Sequence, residues 1–118
     1  MRELLRKHTI SFKNAFAGIG WAIRTQPNFR VHLILSAIAL SLGAYFGITR
    51  TEWAIIIFTI VLGLTAEFVN TAIESMTDLI TKEWREEAKI AKDVAAGMML
   101  TTAIGAVIIA IVVFGQYI

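Results

Sequence analysis

The sequence has no cysteine, a single proline and few charged residues, and each shortage limits what the protein can be. Without cysteine, disulfide bonds and thiolate metal sites are excluded. Charged residues make up only 17% of the 118 residues, and the formal net charge is +2. So small a charge does not indicate a nucleic-acid partner.

Apolar residues, by contrast, make up 57% of the chain, above the roughly 45–50% that is usual for soluble domains. A chain of this length forms one small domain at most. Such a domain has too little interior to bury so much apolar surface. The composition therefore indicates a membrane protein.

Three apolar segments are long enough to cross a bilayer as helices, which takes about 20 residues each. Spans are predicted over about 31–49, 53–75 and 94–115. The short polar run 50–52 between the first two spans predicts an outer turn. Together with an N-terminal helix, the spans predict one all-α membrane domain over residues 1–118.

Residues 4–25 predict an amphipathic helix that lies on the membrane surface. Its apolar side chains recur at helical spacing on one side, with basic side chains beside them. Pro27 ends this helix, because proline disfavours helical geometry in the residue before it. Residues 1–30 hold six bases against one acid, so the excess of Lys and Arg in cytoplasmic segments predicts a cytoplasmic N-terminus.

The second span carries a row of polar residues at its inner end: Glu67, Asn70, Glu74 and Asp78. At 100° per residue, all four fall within an arc of about 80°, stretched over ~16 Å of helix axis. An acid at the centre of a span costs about 2.5–3.5 kcal/mol even on the lenient insertion scale. One organised polar face, rather than chance scatter, is predicted.

Two carboxylates on one face, Glu67 and Glu74, suit a hard divalent cation, and a carboxylate moved out of water suits a general base. The alternative is that these polar groups only hydrogen-bond neighbouring helices. That alternative is favoured for Asp78 alone and evenly balanced for Asn70 alone. Lys92 at the inner mouth of the third span can bind phosphate, or can simply extend to the interface.

Several other patterns bear on the site. Three spans and one surface helix cannot enclose a pocket alone, so the polar face predicts a homo-oligomer. The sequence has no G-x-x-x-x-G-K-[ST] and no H-E-x-x-H motif. His8 and His32 are too isolated to predict a zinc site. Gly43 and Gly47 form a G-x-x-x-G pattern that is compatible with close helix packing.

The run EFVNTAIESMTDL at residues 67–79, with AKD at 91–93, resembles the signature of the bacterial integral-membrane diacylglycerol kinase family, which includes undecaprenol kinases. The resemblance covers nearly the whole chain. It implies an ATP-dependent, magnesium-requiring lipid kinase of the cell membrane. It also implies a homotrimer whose sites are shared between subunits.

The resemblance also implies roles for individual residues. Glu67 matches the catalytic base, which accepts a proton from the lipid hydroxyl, and Glu74 matches a magnesium ligand. Asn70 and Asp78 match polar residues that line the site. The positions that match nucleotide-binding residues are Lys92, Asp93, Glu83, Lys7 and Asn14.

The chain departs from the family pattern at Gln26, where a glutamate often shares the metal, and a neutral glutamine is a poorer ligand. The run NFRVH at residues 28–32 resembles the undecaprenol kinase branch more than the diacylglycerol-preferring one. Undecaprenol is therefore the expected acceptor and diacylglycerol the alternative. The competing class is a non-enzymatic oligomeric membrane protein whose polar stripe joins subunits or conducts ions.

Overall fold

In a computed structural model, which describes residues 1–7 and 11–118, this part of the chain folds into four α-helices. They are α1 (Arg2–Thr25), α2 (Pro27–Phe46), α3 (Arg50–Ile80) and α4 (Glu86–Gly115). The prediction of an all-helical chain, with an N-terminal helix followed by three long apolar helices, is confirmed. His8 lies outside the described residues.

The helices α2, α3 and α4 are each long and apolar enough to cross a membrane. The 31 residues of α3 correspond to about 46 Å of helix, which exceeds the ~30 Å of a bilayer core. One end of α3 therefore extends beyond the hydrocarbon. Many large apolar side chains on all three helices are exposed in the single chain, which suits contact with lipid or with other copies.

The break between α1 and α2 lies at Gln26, which adopts an extended conformation with φ −107° and ψ 104°. Pro27 follows as the first residue of α2. Proline fits this position because its missing N–H would have no partner within the helix. The predicted break before the first span is confirmed.

The outer turn lies three residues earlier than the sequence predicted. It is formed by residues 47–49, and the polar residues from Arg50 onward already belong to α3. Gly47 ends α2 in the left-handed conformation, with φ 62°, which glycine adopts without strain. Thr49 then caps α3: its hydroxyl accepts from the Glu52 N–H at 3.2 Å, and the Glu52 carboxylate accepts from the Thr49 N–H at 2.9 Å. This reciprocal capping starts a helix where a turn was predicted.

The glycines of the G-x-x-x-G pattern serve two different purposes. Gly43 is buried against the ring of Trp53, and a Cβ at this position would lie 2.8 Å from the ring atom Cη2. Gly47 closes the helix instead. Of the two glycines, Gly43 is therefore the one that allows α2 and α3 to pack closely within one chain.

The predicted outer ends of α3 and α4, beside the turn at residues 47–49, are joined by apolar and polar contacts. A small core there contains Ile48, Ile56, Val113 and Phe114. Beside it, Glu52 accepts hydrogen bonds from the Tyr117 hydroxyl at 2.6 Å and from Gln116 Nε2 at 2.7 Å. The bond to Glu52 raises the pKa of Tyr117, because only the protonated hydroxyl can donate. The helix pair is thus fixed at its outer end, and the polar stripe lies towards the other end.

Candidate active site

The polar stripe runs along one face of α3, which is continuous from Arg50 to Ile80. Burial divides the stripe into two parts. Glu67 is 2% exposed and Asn70 8%, whereas Glu74 and Asp78 are exposed. Asn70 Nδ2 donates to Glu74 Oε1 at 3.4 Å. This bond links the buried part of the stripe to the exposed part.

Two oxygens in the buried part have no hydrogen-bond partner among the described residues: Glu67 Oε2 and Asn70 Oδ1. Buried polar atoms without partners are rare in native proteins, and each costs about 1–3 kcal/mol. Two of them one helical turn apart indicate a place where a ligand or a further group binds.

The side chain that lies against Glu67 comes from the neighbouring helix. His32 Nε2 on α2 is 3.7 Å from Glu67 Oε2. Sequence reasoning treated His32 as an isolated neutral residue and missed this contact. The available signal was an ionisable residue inside an apolar span, which normally has a partner. The identity of that partner depends on how α2 packs on α3, which the sequence pattern does not give.

The start of α2 is fixed against α3 by an aromatic contact. The rings of Phe29 and Phe68 have centroids 4.8 Å apart, and Phe29 is buried. Phe68 follows Glu67 directly in the chain, and Phe29 lies about one turn before His32 on α2. The aromatic pair therefore positions both members of the His32–Glu67 contact.

An open cleft of about 420 Å³ lies where the end of α3 meets the start of α4. Its size falls within the ~300–1,000 Å³ of small-molecule sites. Four of the predicted site residues line it: Asp78, Glu83, Lys92 and Asp93. Three further cationic side chains also line it: Lys82, Arg85 and Lys89. Four cationic side chains thus face three acidic ones, and the small excess of positive charge suits an anionic ligand such as a phosphate.

Inside the cleft, most charged groups already have partners. Lys92 Nζ donates to Asp78 Oδ1 at 2.7 Å, and Lys89 Nζ donates to Asp93 Oδ2 at 2.5 Å. The contact between Lys92 and Asp78 brings the start of α4 against the end of α3. Asp78 therefore both lines the cleft and accepts a hydrogen bond from Lys92.

The structure does not bring the remaining predicted residues to the cleft. Lys7 and Asn14 are exposed on α1, and neither lines the cleft in the described part of the chain. Gln26 is half-buried at the junction of α1 and α2, where its Nε2 donates to Thr25 Oγ1 at 3.3 Å. One chain thus assembles the stripe and the lysines, but not the α1 residues.

The oxygens near Glu74 fit a magnesium ion in kind. Within residues 1–7 and 11–118, no group of three or more His, Asp or Glu comes together as a complete metal site. Magnesium, however, usually takes one or two carboxylates and completes its shell with water and substrate phosphates. The exposed Glu74 carboxylate meets that requirement.

The fold and the site together define an integral membrane protein whose second span carries a buried acid above a cationic cleft. Comparison with known proteins identifies the family. The model of the prokaryotic diacylglycerol kinase family matches residues 13–114. The chain belongs to this family of phosphotransferases, and the resemblance found in its signature is confirmed.

Individual relatives carry two different names. The chain is 39% identical over 101 residues to a diacylglycerol kinase of Synechocystis sp., a match that covers 85% of this chain and 58% of that protein. It is 36% identical over 113 residues to the undecaprenol kinase of Bacillus subtilis, covering 96% and 92%. With a diacylglycerol kinase of Haemophilus influenzae it shares 30% identity over 83 residues, which is 70% of each chain. The chain therefore spans little more than half of the Synechocystis relative and nearly all of the Bacillus one.

Proposed function

We propose that this chain is an ATP- and magnesium-dependent lipid kinase of the bacterial cell membrane, which transfers the γ-phosphate of ATP to a lipid hydroxyl. The observation that carries the proposal is the carboxylate of Glu67, which is 2% exposed and lies on the same face of α3 as the exposed Glu74. The exposed Glu74 and the cationic cleft lie beyond it on the same side of α3 and at the start of α4. A base at the membrane boundary can reach a lipid hydroxyl while the cleft holds the nucleotide in water.

Glu67 is the proposed general base. It accepts the proton of the lipid hydroxyl as the hydroxyl oxygen bonds to the γ-phosphorus and ADP leaves. Phosphoryl transfer of this kind depends on positioning and charge neutralisation more than on covalent help from the protein. The two turns between Glu67 and Glu74, about 10 Å along the axis, separate the lipid end of the site from its nucleotide end.

Glu74 is the proposed magnesium ligand, with Asn70 beside it. The bound ion would neutralise charge on the ATP phosphates. Lys92 is proposed to bind a phosphate of the nucleotide as a point charge. In the structure its ammonium group donates a hydrogen bond to Asp78. Asp93 and Glu83, which line the same cleft, are proposed to contact the rest of the nucleotide.

A homotrimer is proposed as the working form. Lys7 and Asn14 are exposed on α1 and lie outside the cleft of their own chain, as described. A neighbouring copy is therefore the proposed source of these two nucleotide-side residues, and sites shared between subunits follow. The large exposed apolar area of α2, α3 and α4 supports such an assembly.

The proposed orientation has the N-terminus and the cleft in the cytoplasm, where ATP is available. Support comes from the six bases in residues 1–30. The limits of the three spans, about 31–49, 53–75 and 94–115, stay a prediction. The second and third lie within α3 and α4, whereas residues 47–49 of the first lie beyond the end of α2.

Undecaprenol is the proposed acceptor, and diacylglycerol is the alternative. The Bacillus subtilis undecaprenol kinase aligns with this chain almost from end to end, and NFRVH at residues 28–32 favours the same branch. The Synechocystis diacylglycerol kinase has the higher identity over a shorter share of its length, which favours the alternative. Membership of a kinase family favours either acceptor over the non-enzymatic membrane protein.

The test is a transfer assay on purified protein in detergent, with γ-labelled ATP, magnesium and either undecaprenol or diacylglycerol. Label is expected in the lipid product, with undecaprenol the better acceptor by kcat/KM. A higher kcat/KM with diacylglycerol would reverse the choice of acceptor. Label in neither product would overturn the kinase proposal.

A further inference from the structure

We propose that His32 is a positioning residue for Glu67. Its imidazole on α2 holds one carboxylate oxygen of Glu67 on α3, so that the other oxygen faces the lipid hydroxyl. The inference rests on the proposed function, in which Glu67 is the base. It adds a residue that lies outside the EFVNTAIESMTDL signature.

The contact itself is the first argument. His32 Nε2 lies 3.7 Å from Glu67 Oε2, and the side chain of Glu67 is 3% exposed. That oxygen has no hydrogen-bond partner among residues 1–7 and 11–118. A buried carboxylate is costly unless a cation or donor compensates it, and His32 is the ionisable side chain in contact with it. At 3.7 Å the pair lies within ion-pair distance but beyond hydrogen-bond distance, and the proposed hold closes that gap.

The second argument is the position of the His32 imidazole against α3. Gly63 lies one turn before Glu67, and a Cβ at Gly63 would be 3.6 Å from His32 Nδ1. The imidazole therefore spans one turn of α3, with its Nδ1 edge at Gly63 and its Nε2 edge at Glu67. At that distance the ring is in ordinary van der Waals contact range of this turn of α3. The Phe29–Phe68 contact fixes the two helices on the same level.

The neighbourhood of His32 leaves its ring available for this task. Ser36, one turn further along α2, donates its hydroxyl to the backbone carbonyl of His32 at 2.7 Å and does not use the imidazole. The ring is about a quarter exposed. Ser36 therefore offers a control position on the same face of α2 that makes no contact with the base.

The chemical consequence is orientation. The terminal torsion of a glutamate is broad, so an unpartnered carboxylate presents its two oxygens in many directions. When His32 holds Oε2, Oε1 is left to accept the lipid proton. Misplacing a reacting group by about 1 Å can reduce a rate by about 100-fold.

The test compares His32→Leu, His32→Gln and Ser36→Ala as purified enzymes of confirmed oligomeric state and Tm. His32→Leu should lower kcat by about 10- to 100-fold and leave the KM for Mg-ATP unchanged, because His32 lies away from the cleft. His32→Gln keeps an N–H donor at similar reach and should restore most of kcat. Ser36→Ala should match the unsubstituted enzyme. A kcat for His32→Leu within about twofold of that enzyme, or no rescue by glutamine, would overturn the proposal.

A second measurement does not depend on activity. The chain has two histidines, so in a His8→Gln background the ¹⁵N-labelled imidazole signals in NMR belong to His32. Glu67→Gln should shift the His32 Nε2 signal, and Glu83→Gln, in the exposed loop, should not. An unchanged Nε2 signal in Glu67→Gln would overturn the pairing. A chain that shows the pairing but transfers no phosphate would overturn the proposed function instead.

Discussion

Lys92 on α4 donates a hydrogen bond to Asp78 on α3 at 2.7 Å, which joins the two helices across the inner loop. The same two residues line the cationic cleft. The pair therefore has two possible uses, as a brace between helices and as part of a nucleotide site. Because both side chains are largely exposed, the brace should contribute little to stability.

Lys92→Met should weaken nucleotide binding. Loss of one charge-assisted contact to a phosphate corresponds to an increase of about tenfold in the KM for ATP, with little change in Tm. Asp78→Asn keeps the lysine and should raise that KM less than Lys92→Met does. Steady-state kinetics at saturating lipid measures both. Equal KM values for Lys92→Met and the unsubstituted protein would remove Lys92 from the nucleotide site.

Gln26→Glu should increase the apparent affinity of the enzyme for magnesium. The substitution supplies a carboxylate, and carboxylates are better ligands for magnesium than amides. The half-saturating magnesium concentration at fixed ATP should fall by about threefold or more. Gln26→Ala, which adds no ligand, is the control. No gain in apparent metal affinity for the glutamate variant would discard a metal role at this position.

Tyr117→Phe should loosen the outer end of the α3–α4 pair without touching the site. The variant removes the hydroxyl that donates to Glu52 at 2.6 Å. Tm should fall by a few degrees, about 2–5 °C, and kcat well below Tm should stay unchanged. Thermal unfolding followed by circular dichroism, together with the transfer assay, checks both. A drop in kcat without a change in Tm would mean that the outer end communicates with the site.

Gly43→Ala should destabilise the protein, because the added Cβ would lie 2.8 Å from the ring of Trp53. Overpacking of this kind costs about 1–3 kcal/mol. Gly18→Ala is the matched control, since a Cβ at Gly18 meets nothing within 4 Å among the described atoms. The control should be neutral or slightly stabilising in a helix. Equal Tm values for the two variants would show that α2 moves away from Trp53 easily.

Much of the fold followed from residue patterns. The run from Glu67 to Asp78 predicted one helix face, and α3 is continuous through it. The break at Pro27 and the three apolar helices also followed from local rules. The outer turn was misplaced because the polar residues 50–52 were predicted to form a loop. The reciprocal cap of Thr49 and Glu52 makes these residues the first turn of α3 instead.

The candidate site was predictable only in part. The stripe on α3 lies within one helix, so spacing alone placed its members together. The His32–Glu67 contact joins two helices, and its geometry depends on the packing of Phe29 on Phe68. The α1 residues Lys7 and Asn14 are not at the cleft of their own chain, and a single sequence does not specify how copies meet.

The most direct test of the account is the rate of phosphate transfer to undecaprenol by Glu67→Gln. A general base contributes about 10²- to 10⁴-fold to such a step, so kcat should fall by at least about 100-fold while the oligomer stays intact by size-exclusion chromatography and light scattering. Glutamine keeps the size of the side chain and removes only its ability to accept the proton. A normal rate would contradict the assignment of Glu67 as the base, and dissociation of the oligomer would show that the buried acid joins subunits instead.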